Sequence, residues 1–541
     1  MKKLIFILVQ IISYNITSAQ VEWVKQIHSN SSSETEWGNI ISDGTNNYMT
    51  GTFGSELRLP NDTLYASGMS EIFIAKFDGN GNNLWSKTII DPSNTTEDSE
   101  FSNAVFDSVN QCIYLAGHFV NQITFPGLTT LFGYSDIFLA KMDLDGNFIW
   151  AKKAGGTGLG WDQPQVYVNP LGKIYLVAQS TDSCYYDNFH IGPGGALVTY
   201  NTDGNCLSAE VKYNYNLVNQ NFVLLDFIGQ DIVYYGSYVT STFNLDTVQF
   251  NSVGDYDAFI ARADSTGKVK WVHKVKSQGR ETIGPIYVNT NNDIILTTTF
   301  DESIDFIGTN IIATGSDIAL ANLDENGSLK WVKQFNINSS NLCAGLGIKI
   351  NSNQNILLTG YFNGTADFGN MQMTSTDPIY EMFLVKFDTS GNCLSTFNFG
   401  KAFGTALTLD NNDNIYVSGN FFNNVSIGPI NLNMLGYNSD IFLAKFDLAT
   451  HNNTRTAPNN TLIIYANPNK GTCNITIPDD LKNSPNLTLM IYNAQGSLIQ
   501  KQQILQLQDK VKLSLDAEAK GMYNVTLTDG SKMYYGKIVF E

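Results

Sequence analysis

The chain has 541 residues, too many for one ordinary core, so it divides into about two to four domains unless a repeat absorbs the excess. Its 50 acidic residues against 32 basic ones leave a net charge of −18. Neutralising phosphates takes cations that such a chain lacks, which excludes nucleic acid and bare anionic membrane as partners.

The N-terminus reads Lys2-Lys3, then an apolar run from Leu4 to Ile12, then Thr17-Ser18-Ala19-Gln20. This is the tripartite form of a secretory signal over residues 1–19, with cleavage expected after Ala19. The apolar run is about half the 18 or more residues that a membrane span needs. No cysteine lies near the cleavage point, and no later segment is long and apolar enough to span a bilayer.

After the signal, one phrase recurs: Glu71-Ile-Phe-Ile-Ala-Lys-Phe-Asp78, Asp136-Ile-Phe-Leu-Ala-Lys-Met-Asp143, Asp257 to Asp264, Asp317 to Asp324, Glu381 to Asp388 and Asp440 to Asp447. A degenerate copy, Gly195 to Asn201, is the third in order and brings the total to seven. Asp78 and Asp447 lie 369 residues apart over six intervals, a mean period of 61.5. Three positions after the closing Asp or Asn stands Gly81, Gly146, Gly204, Gly267, Gly327 or Gly391. An Asx residue that caps its own turn, followed by a residue free to take positive φ, is hairpin chemistry. Four positions further on stands Trp85, Trp150, Trp271 or Trp331, replaced by Ser208 and Ser395 in the third and sixth copies.

Two more strand-like runs precede each phrase, as in Asn103 to Asp107 and then Cys112 to Phe119. Four antiparallel strands per unit make a propeller blade. The seventh copy lacks its glycine and tryptophan strand, whereas Val21-Glu-Trp23-Val-Lys-Gln-Ile27 has the form of that strand. The N-terminus is therefore expected to complete the last blade and remove its exposed edges. The fold class expected is all-β: a seven-bladed β-propeller over residues 20–449, closed by the N-terminal strand. The pattern D-x-F-x-A-K-x-D-x-x-G-x-x-x-W resembles the secreted bacterial β-propeller repeat family, a likeness that covers roughly residues 21–449. Such proteins look like surface or matrix components, so the resemblance implies fold more than function.

Residues 450–460 have linker composition. Residues 461–541 hold alternating runs at Leu462–Tyr465, Thr472–Ile477, Leu487–Tyr492, Lys510–Leu515, Tyr523–Leu527 and Met533–Phe540, which predict a small Ig-like β-sandwich. Asn467-Pro468-Asn469-Lys-Gly471, Ile491 to Gly496, Gly521-Met-Tyr523 to Leu527 and Lys537-Ile-Val539 resemble the type A C-terminal sorting domain of the type IX secretion system. Ala466 and Cys473 depart from that family, which usually carries a proline and an aromatic there. The resemblance implies an export address, with the type IX machinery as partner and a secreted or outer-membrane surface-attached location in a Gram-negative bacterium.

Chemistry-bearing motifs are sparse. The five histidines are scattered, without H-E-x-x-H, and G-x-S-x-G is absent, so no catalytic or metal-ligating residue is assigned. No cofactor is expected. Asp143-Leu-Asp145-Gly-Asn147 and Asp410 to Asn414 are fragments of a calcium loop without its bidentate Glu, and turn formation is the stronger reading. Six cysteines without C-x-x-C spacing read as buried free thiols, although Cys184 with Cys206 and Cys343 with Cys393 each fall within one repeat and suit a pair.

Long connections gather on one face of such a propeller, where Trp37, Phe101 and Trp161 precede first strands. Their rings are the candidates for stacking on sugars, with packing between blades as the competing role. The same connections hold Glu34, Glu36, Glu97, Asp98, Glu100, Asp162 and Glu281. Without a nucleophile or metal motif, a non-enzymatic binding or adhesion module for an extracellular polysaccharide or protein leads. A carbohydrate-active hydrolase or lyase using loop carboxylates, and a purely structural surface protein, are the alternatives.

Overall fold

The computed structural model describes residues 20–29, 39–68, 70–92, 99–155, 164–180, 182–213, 222–238, 242–253, 256–276, 279–337, 343–369, 371–375, 380–435, 439–447, 462, 464–478, 481–482, 484, 487–493, 498–504, 508–515, 519–529 and 533–540. The expected signal, residues 1–19, and the expected linker, residues 450–460, lie outside them. The chain separates into two compact units, Met1–Ala449 and Thr450–Glu541. Regular structure in the described residues is all strand, and no helix is long and apolar enough to cross a membrane.

In the first unit each repeat forms one four-stranded antiparallel sheet. The first repeat supplies Asn39–Ser42, Asn47–Phe53, Glu71–Phe77 and Asn83–Ile89, hydrogen-bonded in that order. The third strand is the recurring phrase, and Glu71–Phe77 is buried along its whole length. Both its faces are covered by neighbouring sheets, which explains why the phrase is apolar throughout rather than alternating. The seventh repeat supplies Ala402–Leu409, Ile415–Phe421 and Asp440–Asp447, and Gln20–Ser29 pairs beside Asp440–Asp447 as the fourth strand. Hydrophobic core lies between consecutive repeats, as where Ile72 and Ile74 of the first meet Phe101, Leu115 and Phe138 of the second. Each such buried side chain contributes about 1.5–3 kcal/mol.

Chain direction separates two ends of the sheets. Tight turns join first to second strands and third to fourth strands at one end. In the latter turn, Asp78 Oδ1 accepts the N–H groups of Asn80 (2.9 Å) and Asn82 (2.8 Å) while Gly81 takes φ 75°. Each such turn also receives the preceding repeat. Trp150 Nε1 and Lys141 Nζ of the second repeat both donate to Thr202 O of the third, at 3.0 and 3.1 Å. Trp271 Nε1 and Arg262 Nη1 of the fourth converge likewise on Glu325 O, at 3.1 and 2.6 Å. The recurrent basic residue and tryptophan thus join one sheet to the next.

At the other end lie the longer connections. Between second and third strands most repeats insert a short hairpin, such as Cys184–Tyr186 with Phe189–Ile191. Several of these dock on the preceding repeat's fourth strand through the pairs Ser29 with Leu57, Ile90 with Thr124, Gly155 with Tyr185 and Ile337 with Ala366. The acid that opens the recurring phrase is buried at this junction: Asp317 accepts from Gln334 Nε2 (2.8 Å) and Ile337 N (2.8 Å), and Glu381 from Asn398 Nδ2 (2.9 Å). All six cysteines are free thiols, and burial pushes Cys343 and Cys393 up to about 12.

The second unit has two sheets, Ile464–Tyr465, Thr472–Thr476 and Lys510–Ser514 in one, and Leu498–Gln503, Thr488–Tyr492, Gly521–Thr528 and Met533–Phe540 in the other. They share one core that includes Cys473, Ile475, Leu489, Ile491, Val525 and Ile538. Leu498–Gln503 is a strand that periodicity does not reveal, because at the sheet edge it keeps mostly exposed polar side chains.

Candidate functional site

The long-connection end of the second and third repeats carries an open cleft of about 840 Å³. One wall is Gly133, Tyr134 and Asp136 at the start of the second repeat's third strand, and a second is Lys153 to Gly155 at the end of its fourth. The hairpin of the third repeat closes it with Asp182, Ser183, Tyr185, Asp187 and His190.

The hairpin that carries Tyr185 and His190 is held by backbone. Tyr185 and Gly155 exchange two hydrogen bonds, 2.9 and 3.1 Å, which fix the hairpin against the neighbouring strand. Across the hairpin Tyr185 faces His190, and their rings stack with centroids 4.5 Å apart and planes at 23°. Tyr134 is 75% exposed and Tyr185 57%. Rings this open find no apolar cover within the fold, yet fixed backbone leaves little entropy to lose when a flat ligand settles on them.

Polar groups flank the rings. Asp136 is buried with Lys153 Nζ 3.3 Å from its Oδ2; burial pushes its carboxyl up and Lys153 pulls it back. Its carboxylate lies where a Cβ on Gly133 would stand 1.9 Å from Oδ2, so residue 133 has to be glycine for this placement. Asp187 Oδ2 accepts Cys206 N at 2.6 Å. The arrangement offers stacking surface, carboxylates and an ammonium in one groove.

Of the three residues expected to stack, Phe101 is the one within the described residues. Trp37 and Trp161 lie outside the described residues, as do Glu34, Glu36, Glu97, Asp98 and Asp162. Phe101 is 7% exposed and packs in the cluster between the first and second repeats, and Glu281 is fully buried, so neither side chain faces solvent on this end. The Asp143 carboxylate is taken up by its own turn, accepting from Asp145 N (3.0 Å), Asn147 N (2.8 Å) and Asn147 Nδ2 (2.9 Å). Tyr134 and Tyr185 stand in second-to-third connections rather than between repeats. Their signal in the sequence is an aromatic beside glycine, serine or aspartate: Gly133-Tyr134-Ser135 and Tyr185-Tyr186-Asp187.

In the second unit the residues resembling a sorting motif converge on the last strand. Asn467 Nδ2 donates to Lys537 O (2.6 Å) while its Oδ1 accepts Val539 N (2.7 Å). Asn469 donates to Val539 O from both its backbone N (2.8 Å) and Nδ2 (3.1 Å), and its Oδ1 accepts Gly471 N (2.9 Å). Pro468 is exposed between these two asparagines. Tyr523 OH reaches back to Ala519 O at 2.5 Å, just ahead of the strand that Gly521 opens. Gly496 lies outside the described residues.

Among solved structures, the chain is similar to a family PL25 polysaccharide lyase, an ulvan lyase bound to GlcA(1-4)Rha3S, at 8% identity over 73% of this chain and 93% of the lyase, with TM-score 0.41. It is similar to Kuenenia stuttgartiensis hydrazine synthase at 9% identity over 68% of this chain and 92% of that one, with TM-score 0.37. It is also similar to the phage phi92 endosialidase at 10% identity over 97% and 87% of the two chains, with TM-score 0.35. At these scores none of the three bears on this chain's chemistry. No curated protein matches the chain significantly. Residues 463–541 match the family described as the secretion system C-terminal sorting domain, and the second unit is such a domain.

Proposed function

We propose that the chain is exported through the type IX secretion machinery and that its first unit is a closed seven-bladed β-propeller acting as a non-enzymatic, carbohydrate-binding module. The sorting domain supports the export route. Support for closure comes from the seven copies of the recurring phrase, from the pairing of Gln20–Ser29 with Asp440–Asp447, and from the contact of Ala402–Leu409, the seventh first strand, with Asn39–Ser42, the first. Ile27, Ile441 and Leu443 also share one hydrophobic cluster with Ile40, Met49 and Phe73, which joins the two ends of the array.

The observation that carries the binding reading is the stacked Tyr185–His190 pair held open beside Tyr134 in the cleft. Sugars present one apolar face of C–H groups to such rings and a rim of hydroxyls to carboxylates and amines such as Asp136 and Lys153. A glycan and polysaccharide array with the full chain from residue 20 tests this, beside a Tyr134→Ala/Tyr185→Ala double variant. Binding by the parent that falls at least about tenfold in the variant is expected, since stacking and its buried area are worth roughly 1–3 kcal/mol. Glycan binding unchanged in the variant would move the site elsewhere, and release of shortened sugars from the array would make the chain a hydrolase or lyase.

A further inference from the structure

A different feature stands on the same end of the sheets, at the fourth to seventh repeats. Arg280 immediately precedes Glu281–Val288, the first strand of the fifth repeat, and its guanidinium carbon lies 4.7 Å from the centre of the Tyr256 ring. The backbone pins this arrangement: Tyr256 bridges Arg280, and Glu281 N donates to Tyr256 O at 2.7 Å. The nearby Asp301 carboxylate accepts the Arg280 backbone N–H at 2.8 Å rather than its side chain. Arg280 Nε is buried, and among the described residues no acceptor meets the guanidinium.

Both other described arginines are paired: Arg58 binds Glu56 at 2.8 Å and Arg262 binds Asp231 at 2.6 Å. The buried Nε–H of this half-buried guanidinium has no acceptor, which costs free energy even though the chain has 50 acidic residues. An anion supplied from outside would offset it.

The surroundings indicate what carries that anion. Tyr361 lies close enough for the Arg280 charge to pull its phenol down against the effect of burial. From Tyr361 a run of half-buried rings continues: Phe403 edge-on at 4.9 Å, Tyr380 stacked on Phe403 at 3.8 Å, and Phe422 at 5.7 Å from Phe403. All six residues stand at strand starts or ends on the long-connection side.

We propose that Arg280 anchors a second subsite, which takes the carboxylate or sulfate group of an acidic polysaccharide while the adjoining rings carry neighbouring sugar units. The planar fork of the guanidinium matches either oxyanion with two parallel hydrogen bonds. The proposal rests on the carbohydrate reading above and narrows it to a charged polymer, even though the chain itself carries −18.

The test measures binding of the full chain from residue 20 to polygalacturonate, dextran sulfate, neutral galactan and dextran, at about 0.15 M salt so that long-range repulsion is screened. Expected is binding of at least one acidic polymer about tenfold tighter than its neutral counterpart, with the preferred one telling carboxylate from sulfate recognition. Arg280→Gln should lose that preference by about tenfold or more, and Arg280→Lys should recover only part of it, because an ammonium keeps the charge without the fork. Unfolding midpoints equal to the parent's keep the comparison valid, and Tyr256→Leu, which removes the ring beneath the guanidinium, gives a second reading. Acidic binding unchanged in Arg280→Gln overturns the inference. Equal binding of neutral and acidic polymers overturns it while leaving the carbohydrate reading in place, whereas binding of no polymer removes both.

Discussion

Trp23 Nε1 donates to Gly79 O at 3.2 Å, and the Trp23 ring fills the space where a Cβ on Gly81 would stand 2.7 Å away. Trp150 bears this relation to Thr202 and Gly204, Trp271 to Glu325 and Gly327, and Trp331 to Thr389 and Gly391. The strand at the start of the chain therefore treats the first repeat as the strands of Trp150, Trp271 and Trp331 treat the repeat that follows each of them. The turn glycines serve two demands at once, positive φ and room for an indole.

Trp23→Ala should lower the stability of the first unit by about 2–3 kcal/mol, as should Trp331→Ala, because both remove a half-buried indole and an inter-sheet hydrogen bond. Denaturant midpoints of the two variants decide the matter. A much smaller effect at Trp23 would mean that the N-terminal strand frays and that the array does not depend on it.

The repeat, its hairpin turns and its tryptophan strands were legible because each is a local pattern that recurs with one spacing. What the tryptophan does was not, since its partner carbonyl belongs to the next repeat, 52 to 58 residues away. Phe101 illustrates the limit more sharply. An aromatic ahead of a first strand reads equally as a loop ring or a core ring, and only the sheet of the preceding repeat, with Ile72 and Ile74, decides for the core. Arg280 is harder still, because an unpaired guanidinium is defined by which carboxylates point elsewhere.

Asp226, on the strand Phe222–Ile228, keeps partial contact with solvent yet is surrounded by protein, and burial pushes its carboxyl up to about 6. The N–H groups of Phe227 and Val288 and the charge of Lys349 pull the other way. The folded state thus holds this proton more tightly than the unfolded chain does. Asp226 contributes full stability below pH ~4, and that contribution is lost as pH rises to about 6. In Asp226→Asn this loss is absent. Burial also pulls the Lys349 ammonium down, against the Asp226 charge that holds it up. The stability difference, variant minus parent, should grow by on the order of 1–2 kcal/mol between pH 4 and pH 7. Urea unfolding at a series of pH values measures it, and a flat difference would contradict the burial argument.

Gly133→Ala tests the cleft without touching its rings. A methyl group there meets Asp136 Oδ2, so the carboxylate must swing out of its contact with Lys153. The variant should fold with a loss of about 1 kcal/mol and bind the glycans of the parent severalfold more weakly. Calorimetric titration with a glycan identified on the array gives the number. Unchanged affinity would leave Tyr134 and Tyr185 as the binding surface and remove Asp136 from it.

The sorting domain allows structure and recognition to be separated by two substitutions on one clasp. Asn467 uses its amide in both senses, donating to Lys537 O and accepting from Val539 N. Asn467→Asp removes the donor and sets a carboxylate against a carbonyl, so the last strand, Met533–Phe540, should loosen at a cost of about 1–3 kcal/mol. Exported protein should fall and cell-retained protein rise, read by immunoblot of culture medium against cells. Lys537→Ala leaves the backbone carbonyl in place, and its exposed side chain is not part of the clasp, so stability should hold. If export nevertheless fails in Lys537→Ala, the machinery reads the lysine directly. Normal export of Lys537→Ala beside failure of Asn467→Asp would mean that the folded last strand is what it reads.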